Sequence, residues 1–569
     1  MQEYTSPGEV AISPDDNLTS SLFEIVENSP DRAIVAHRVG DRFVDWSARQ
    51  FVDEVMAVAK GLMGLGIEKG GRVSIYASTR IEWTVLDYAI WMAGGITVPI
   101  YETSSSDQVE WIVGNAEVSI LVAETDELKA NYDAVADKLS TCEHVFVLDD
   151  GGLEKIKEAG SDISDDDVRA RAESVGGDDI CTIVYTSGTT GKPKGVMLSH
   201  KNIMSNAVNT LGIQRVDSSD RLLSVLPLPH TYECTIGFII PFMTGAWVNY
   251  LDKLPTPAVL LPAMEVVKPT MMLTVPLIIE KVYKNRVLPK LSGSALMRQL
   301  TKLRPVQKAF HKLAGKKIYK AFGGKLRFFG IGGAKLSATT ERFLRDAGFP
   351  YAIGYGLTET SPLLAGCSPD LTKFQSTGFC LPGQELRILD PDPVSAEGEI
   401  ITRGPNVMQG YYKQEEQTRE VFTNDGWFRT GDLGYIDQDG YLFIRGRIKN
   451  VIVSATGENI YPEDIEAVIN SERHVLESLV YEWRGKLVAR VHLNYEEIDQ
   501  RYHEMKESAG HLYEQMQQKV KDRLAEIQSR VNARLNRFSR LSTIEEQDEP
   551  FQKTPTKKIK RFLYFKKQQ

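Results

Sequence analysis

The stretch that most constrains this 569-residue chain is ICTIVYTSGTTGKPKGVMLSH, at 180–200. Its first seven residues are apolar or β-branched and read as a buried strand. The strand runs into a loop of a different chemistry. Glycines at 188, 191 and 195 let backbone N–H groups approach an anion. Thr186, Ser187, Thr189 and Thr190 add hydroxyl donors, and Lys192 and Lys194 add positive charge. Together they suit a polyphosphate cradle at the end of a strand; by composition alone a surface turn is the competing reading. The spacing G-x-x-x-x-G-K-[ST] is missing, which argues against a P-loop kinase or GTPase.

The surrounding chain fits an α/β protein. Helical patterns such as Ala48–Gly64 alternate with short β-rich runs (VSIYAS, ITVPIY) through the first 150 residues, as parallel-sheet layers require. An acidic stretch, 149–179, holds eleven Asp or Glu and reads as a solvated linker with a short helix. A second β-rich region begins at 385–402. Beyond Arg447 a small α/β unit is expected, with strand-like LVYEW and LVARVHL. Its long helix, 514–537, sets Met516, Val520, Leu524, Ile527, Val531 and Leu535 on one face, as a core stripe.

Composition excludes several classes. With 25% charged and 42% hydrophobic residues, the chain is neither disordered, collagen-like nor a disulfide scaffold. A net charge of −9 speaks against a nucleic-acid binder. Five scattered cysteines, without a C-x-x-C pair, read as reduced thiols. The N-terminus lacks a secretory pattern, and 222–251 is interrupted by His230, Glu233 and prolines, so a soluble cytoplasmic protein is expected.

Further motifs follow the loop in order: LPLPHTYE (226–233), GIGGAKLS (330–337), GYGLTETSP (354–362), RTGDLG (429–434), GRIKN (446–450), ATGENIYPEDIE (455–466) and KTPTKKIKRF (553–562). The series closely resembles the adenylate-forming enzymes, which include acyl-CoA synthetases, luciferases and the adenylation domains of peptide synthetases. It spans about residue 20 to residue 562, nearly the whole chain. The resemblance implies a large N-terminal AMP-binding domain (1–447) of layered α/β subdomains with a β-rich subdomain, and a small mobile α+β C-terminal domain (448–569). It implies ATP, Mg²⁺ and coenzyme A as the small molecules used.

The resemblance also assigns residues. His230 lies near the carboxylate site. Gly332, Gly333 and Ala334 pass close to the adenine ring, on which Tyr355 stacks beside Gly356. Thr358 bonds a phosphate oxygen. Glu359 offers Mg²⁺ a hard oxygen ligand, with Thr186 in the same shell. Asp432 and Arg447 take the ribose, and Lys449 is the pivot of the C-terminal domain. Gly457 and Glu458 line the thiol tunnel, and Lys558 is the mobile lysine. Two positions depart from the usual pattern: Asn450 follows the pivot where Asp is common, and Lys557 precedes Lys558 where Gly is common.

One segment is particular to this chain. Residues 281–327 hold ten Lys and four Arg with no acid, and removing those fourteen charges from −9 leaves −23 on the remainder. The segment suits a solvated insertion, an anionic lipid surface or coenzyme A phosphates. Together with QSRVNARLNRFSRL and KTPTKKIKR it most resembles long-chain acyl-CoA synthetases. The expectation is an AMP-forming long-chain fatty acid–CoA ligase, with peripheral association at the inner face of a membrane expected from the basic segment. The competing readings are an acyl-AMP ligase loading a carrier protein and a non-catalytic homologue that only binds nucleotide or acyl-CoA. For the oligomeric state, a monomer or a homodimer is expected.

Overall fold

The computed structural model describes residues 16–40, 42–186, 192–251, 253, 255–292, 295–453, 459–498, 511–554 and 558–565, with the backbone of 2–5. Two seven-stranded sheets organise the larger part. One runs, in spatial order, Tyr351–Ile353, Phe328–Ile331, Met271–Thr274, Arg221–Leu223, Trp247–Tyr250, Ala33–Val39 and Arg42–Ser47. The other runs Gly410–Tyr411, Lys194–Ser199, Ile180–Thr186, Ile96–Ile100, Arg72–Tyr76, Ile120–Ala123 and His144–Val147. Both are parallel through their centres and close with antiparallel strands. This is the alternating α/β architecture that the sequence calls for.

The two sheets share one core. Helix Ile81–Met92 (IEWTVLDYAIWM) is apolar around most of its circumference, so it must be buried on nearly every side. It packs against strands of both sheets, with Trp83, Tyr88 and Trp91 fully enclosed. The Trp91 indole N–H donates to the Cys181 carbonyl at 3.0 Å, satisfying its one polar atom.

The acidic stretch departs from expectation. It forms two helices, Gly152–Glu158 and Asp165–Glu173, whose Leu153, Ile156, Val168 and Ala172 are buried in the main core. Those four apolar residues, at helical spacing, outweigh the charge of the exposed face. Helix Ala48–Gly64 lies so close to this pair that a side chain at Gly61 would strike the Ile156 carbonyl.

An antiparallel sheet of Glu385–Leu389, Gly398–Arg403, Phe428–Ile436 and Leu442–Arg447 follows, with Gln2–Thr5 on its edge. Beyond it, a separate apolar cluster runs from Ile460 to Ile544. There strands Val475–Trp483, Lys486–Leu493 and Thr543–Glu546 carry helix His511–Asn532. The expected stripe lies in this cluster, with Leu535 packed beside it. The helix stops at Asn532, short of the expected 537, because the Asn532 side chain exchanges hydrogen bonds with the Leu541 backbone. Among the described residues no helix is long and apolar enough to cross a membrane, and the five cysteines are free.

Candidate active site

The motif residues gather at the carboxyl ends of parallel strands, where open α/β sheets place their ligand crevices. Strand Ile180–Thr186 ends at Thr186, paired in register with Lys194. Strand Phe328–Ile331 ends in the turn 332–335, and Tyr351–Ile353 leads into the motif 354–362. Ser187, Gly188, Thr189, Thr190, Gly191, Gly457 and Glu458 lie outside the described residues.

The antiparallel sheet contributes a charged pair. Asp432 and Arg447 face each other directly on neighbouring strands, with Arg447 Nε 2.9 Å from Asp432 Oδ1. The other oxygen, Oδ2, accepts from the Tyr355 hydroxyl at 2.9 Å. Asp432 is buried, and burial raises its carboxyl above the ordinary range, against the opposing pull of Arg447 and Tyr355.

Lys558 approaches this pair from the far end of the chain. Its charge acts on Asp432 and His230, and the charges of Arg447, Asp432 and Glu359 act on it. Enclosure by protein, and then Arg447, lower its ammonium from the usual lysine value; Asp432 and Glu359 oppose that. Protein surrounds the side chain, yet water reaches it, as in an open cleft. Burial, and then Lys558, hold His230 down at about 4, so its imidazole is neutral near pH 7. His230 Nδ1 accepts from the Tyr232 N–H at 3.1 Å, which leaves the proton on Nε2.

Thr358 and Glu359 open a short 3₁₀ turn and are half-buried. Glu359 Oε1 accepts from the Tyr411 hydroxyl at 3.0 Å. Among the described residues no three His, Cys, Asp or Glu cluster as a protein-only metal cage. A single fixed carboxylate beside hydroxyl donors fits Mg²⁺, which takes one or two carboxylates and completes its shell with water and phosphate oxygens. Gly356 is fixed by space, since a Cβ there would run into the Pro362 carbonyl.

Several neighbours carry no motif signal. The Tyr411 ring also lies 4.4 Å from Lys194 Nζ, and the Trp111 ring lies 4.2 Å from Lys192 Nζ, so each loop lysine has an aromatic face beneath it. At Gly332 the close flat ring is that of Tyr232, which a Cβ would meet at 3.2 Å; Gly333 and Ala334 face outward. Lys449 is exposed in the turn Ile448–Asn450, and Asn450 Nδ2 donates to Glu463 Oε1 at 2.6 Å. The Arg561 guanidinium grips both oxygens of Glu466, at 3.0 and 2.6 Å, three residues beyond Lys558. No motif marks these aromatic contacts or the Arg561–Glu466 pair; tertiary placement makes them.

Known proteins agree with this architecture. The family described as AMP-binding enzyme matches residues 22–412. The long-chain-fatty-acid–CoA ligase FadD15 of Mycobacterium tuberculosis is 33% identical over 504 residues, covering 84% of this chain and 82% of that protein. The long-chain-fatty-acid–CoA ligase ACSBG2 of Xenopus laevis is 29% identical over 497 residues, covering 82% and 67%. ATP-bound MatB from Rhodopseudomonas palustris superposes with a TM-score of 0.73 at 25% identity, over 96% of this chain and 97% of its own. With the family match covering well over half its length, the chain belongs to the AMP-binding enzymes.

Proposed function

We propose that this protein is an AMP-forming ligase that activates a long-chain fatty acid with ATP and passes the acyl group to coenzyme A. The carrying observation is Lys558, which comes from the end of the chain to face Glu359, Asp432 and Arg447. A carboxylate and a triphosphate are both anions, and a site that joins them needs cations where they meet. In the first step the carboxylate oxygen attacks the α-phosphorus, and pyrophosphate leaves. In the second the coenzyme A thiol gives up its proton, its sulfur attacks the acyl carbonyl, and AMP leaves.

In this reading Lys558 bridges carboxylate and α-phosphate. Thr186, Ser187, Gly188, Thr189, Thr190, Gly191, Lys192 and Lys194 hold the polyphosphate, with Thr358. Gly332, Gly333, Ala334, Tyr355 and Gly356 frame the adenine, and Asp432 and Arg447 hold the ribose. Neutral His230 donates from Nε2 toward the acyl carboxylate. Glu359 and Thr186 hold Mg²⁺, which when bound offsets phosphate charge. We place the pivot at Lys449, between units 1–447 and 448–569, so that rotation withdraws Lys558 and brings Gly457 and Glu458 to the thiol. Asn450 suits this arrangement better than Asp would, because it donates to Glu463 where a second carboxylate would be repelled.

Relatives named as CoA ligases favour coenzyme A over a carrier protein as acceptor, and turnover over binding alone. Helix Arg304–Ala321 exposes Lys308, Lys312, Lys316, Lys317 and Lys320, and Leu303 and Leu313 are 57% and 56% exposed. That mixture of cations and leucines suits an anionic membrane surface, from which a fatty acid is collected.

The test is AMP release with ATP and Mg²⁺ across free acids from acetate to oleate, each with and without coenzyme A. Release that requires coenzyme A and peaks at long chains is the expected result. Pyrophosphate exchange without coenzyme A-dependent release would contradict the acceptor, and inactivity with every acid would contradict the ligase.

A further inference from the structure

We infer that Lys284, in the basic segment, is a positioning residue that latches the C-terminal unit in the arrangement holding Lys558 in the cleft. This inference rests on the ligase reading given above. Lys284 belongs to the larger body: its neighbours Tyr283, Val287 and Leu291 are buried in the main core. Its Nζ donates across to the other unit, to the Asn470 carbonyl at 2.8 Å and the Val475 carbonyl at 2.6 Å.

Both acceptors are suited to a cation. Asn470 is the last residue of helix Pro462–Asn470, where carbonyls lack intrahelical partners and the helix dipole is negative. Val475 opens strand Val475–Trp483 where its pairing shifts register. One ammonium therefore ties together the end of the helix and the start of the strand that follows.

The same helix is held at its other end. Lys335, in the turn after strand Phe328–Ile331, forms an ion pair with Asp464 in the first helical turn. Asp464 and Asn470 are six residues apart, about 9 Å along the helix axis. Two attachments at that separation fix the direction of the helix, which one alone would leave free to swing. Between them, Glu466 receives the bidentate Arg561, three residues beyond Lys558. A continuous path therefore runs from Lys284 through the helix, Glu466 and Arg561 to Lys558. Part of the basic segment thus serves as a contact between units.

The consequence is selective. The latch favours the arrangement that makes the adenylate, and it contributes nothing once the unit has rotated. Lys284→Met keeps the aliphatic stem and removes the donors, whereas Lys284→Arg keeps the charge. Two measurements on the full chain test this. Zero-length carbodiimide cross-linking of Lys335 to Asp464, quantified by peptide mass spectrometry, reports the arrangement without catalysis. The half-reactions, acyl-AMP formation and thioester formation from supplied acyl-AMP, report its consequence. For Lys284→Met we expect several-fold less cross-link and about tenfold slower acyl-AMP formation, as the loss of a charged hydrogen bond implies. Thioester formation should stay within about twofold of the parent, and Lys284→Arg should recover most of both losses. Unchanged cross-linking in Lys284→Met, or an equal fall in both half-reactions that Lys284→Arg does not repair, would overturn the latch. If the parent protein makes no acyl-AMP, the ligase reading fails, and the cross-link yield still decides the latch.

Discussion

Glu233 lies three residues after His230 and is fully buried, with the Ser224 hydroxyl donating to Oε1 at 2.5 Å. Its Oε2 has no partner among the described residues, and burial pushes the carboxyl up to about 8. The native protein therefore holds this proton to a higher pH than the unfolded chain does. The group's contribution to stability is fully present below the unfolded value of 4.5 and is lost as pH rises toward about 8. Denaturant unfolding at pH 5.5 and 8.5 should show the parent losing stability across that window, and Glu233→Gln should flatten the loss. An equally steep fall in the variant would remove Glu233 from the account. The sequence marks His230, because the Pro-Leu-Pro turn and the motif order pick it out. It does not mark the protonation of Glu233, which follows from what is packed around it. Tyr411 is illegible for a similar reason. Nothing in GYYK signals a contact with Glu359; that contact exists because Gly410–Tyr411 adds to the sheet edge beside Lys194–Ser199.

At the scale of elements, helix Ala48–Gly64 carries a substitution whose sign separates local preference from packing. Replacing a helical glycine by alanine normally stabilises by about 1 kcal/mol. Gly61, however, faces Ile156, and an added Cβ would strike the Ile156 carbonyl. Gly61→Ala should therefore destabilise by about 1–3 kcal/mol, read as a lower denaturant midpoint at unchanged slope. A raised midpoint would show that the helices can part without cost. The same pair explains what the sequence hid. Eleven acids in 149–179 dominate any charge reading, while Leu153, Ile156, Val168 and Ala172 decide the packing. Strongly periodic elements were legible, including the buried strand before the phosphate loop and the stripe from Met516 to Val531. The end of the long helix was not, because a side chain–backbone exchange at Asn532 sets it.

The whole molecule consists of a large body with one shared core and a smaller unit with its own apolar cluster. Contacts between them include Lys284 with Asn470 and Val475, Lys335 with Asp464, and the Tyr461 hydroxyl donating to Glu397 at 2.6 Å. The alternating architecture was readable from the sequence, because strand and helix periods differ. These contacts were not, because they join residues 64 to 191 positions apart. In the proposed mechanism this one arrangement serves one half of the reaction, with Lys558 as its working residue. Lys558→Ala, assayed separately in the two half-reactions, tests that most directly. Loss of acyl-AMP formation by ~10²-fold or more, with thioester formation from supplied acyl-AMP largely intact, is the predicted result. An equal loss in both half-reactions would contradict it.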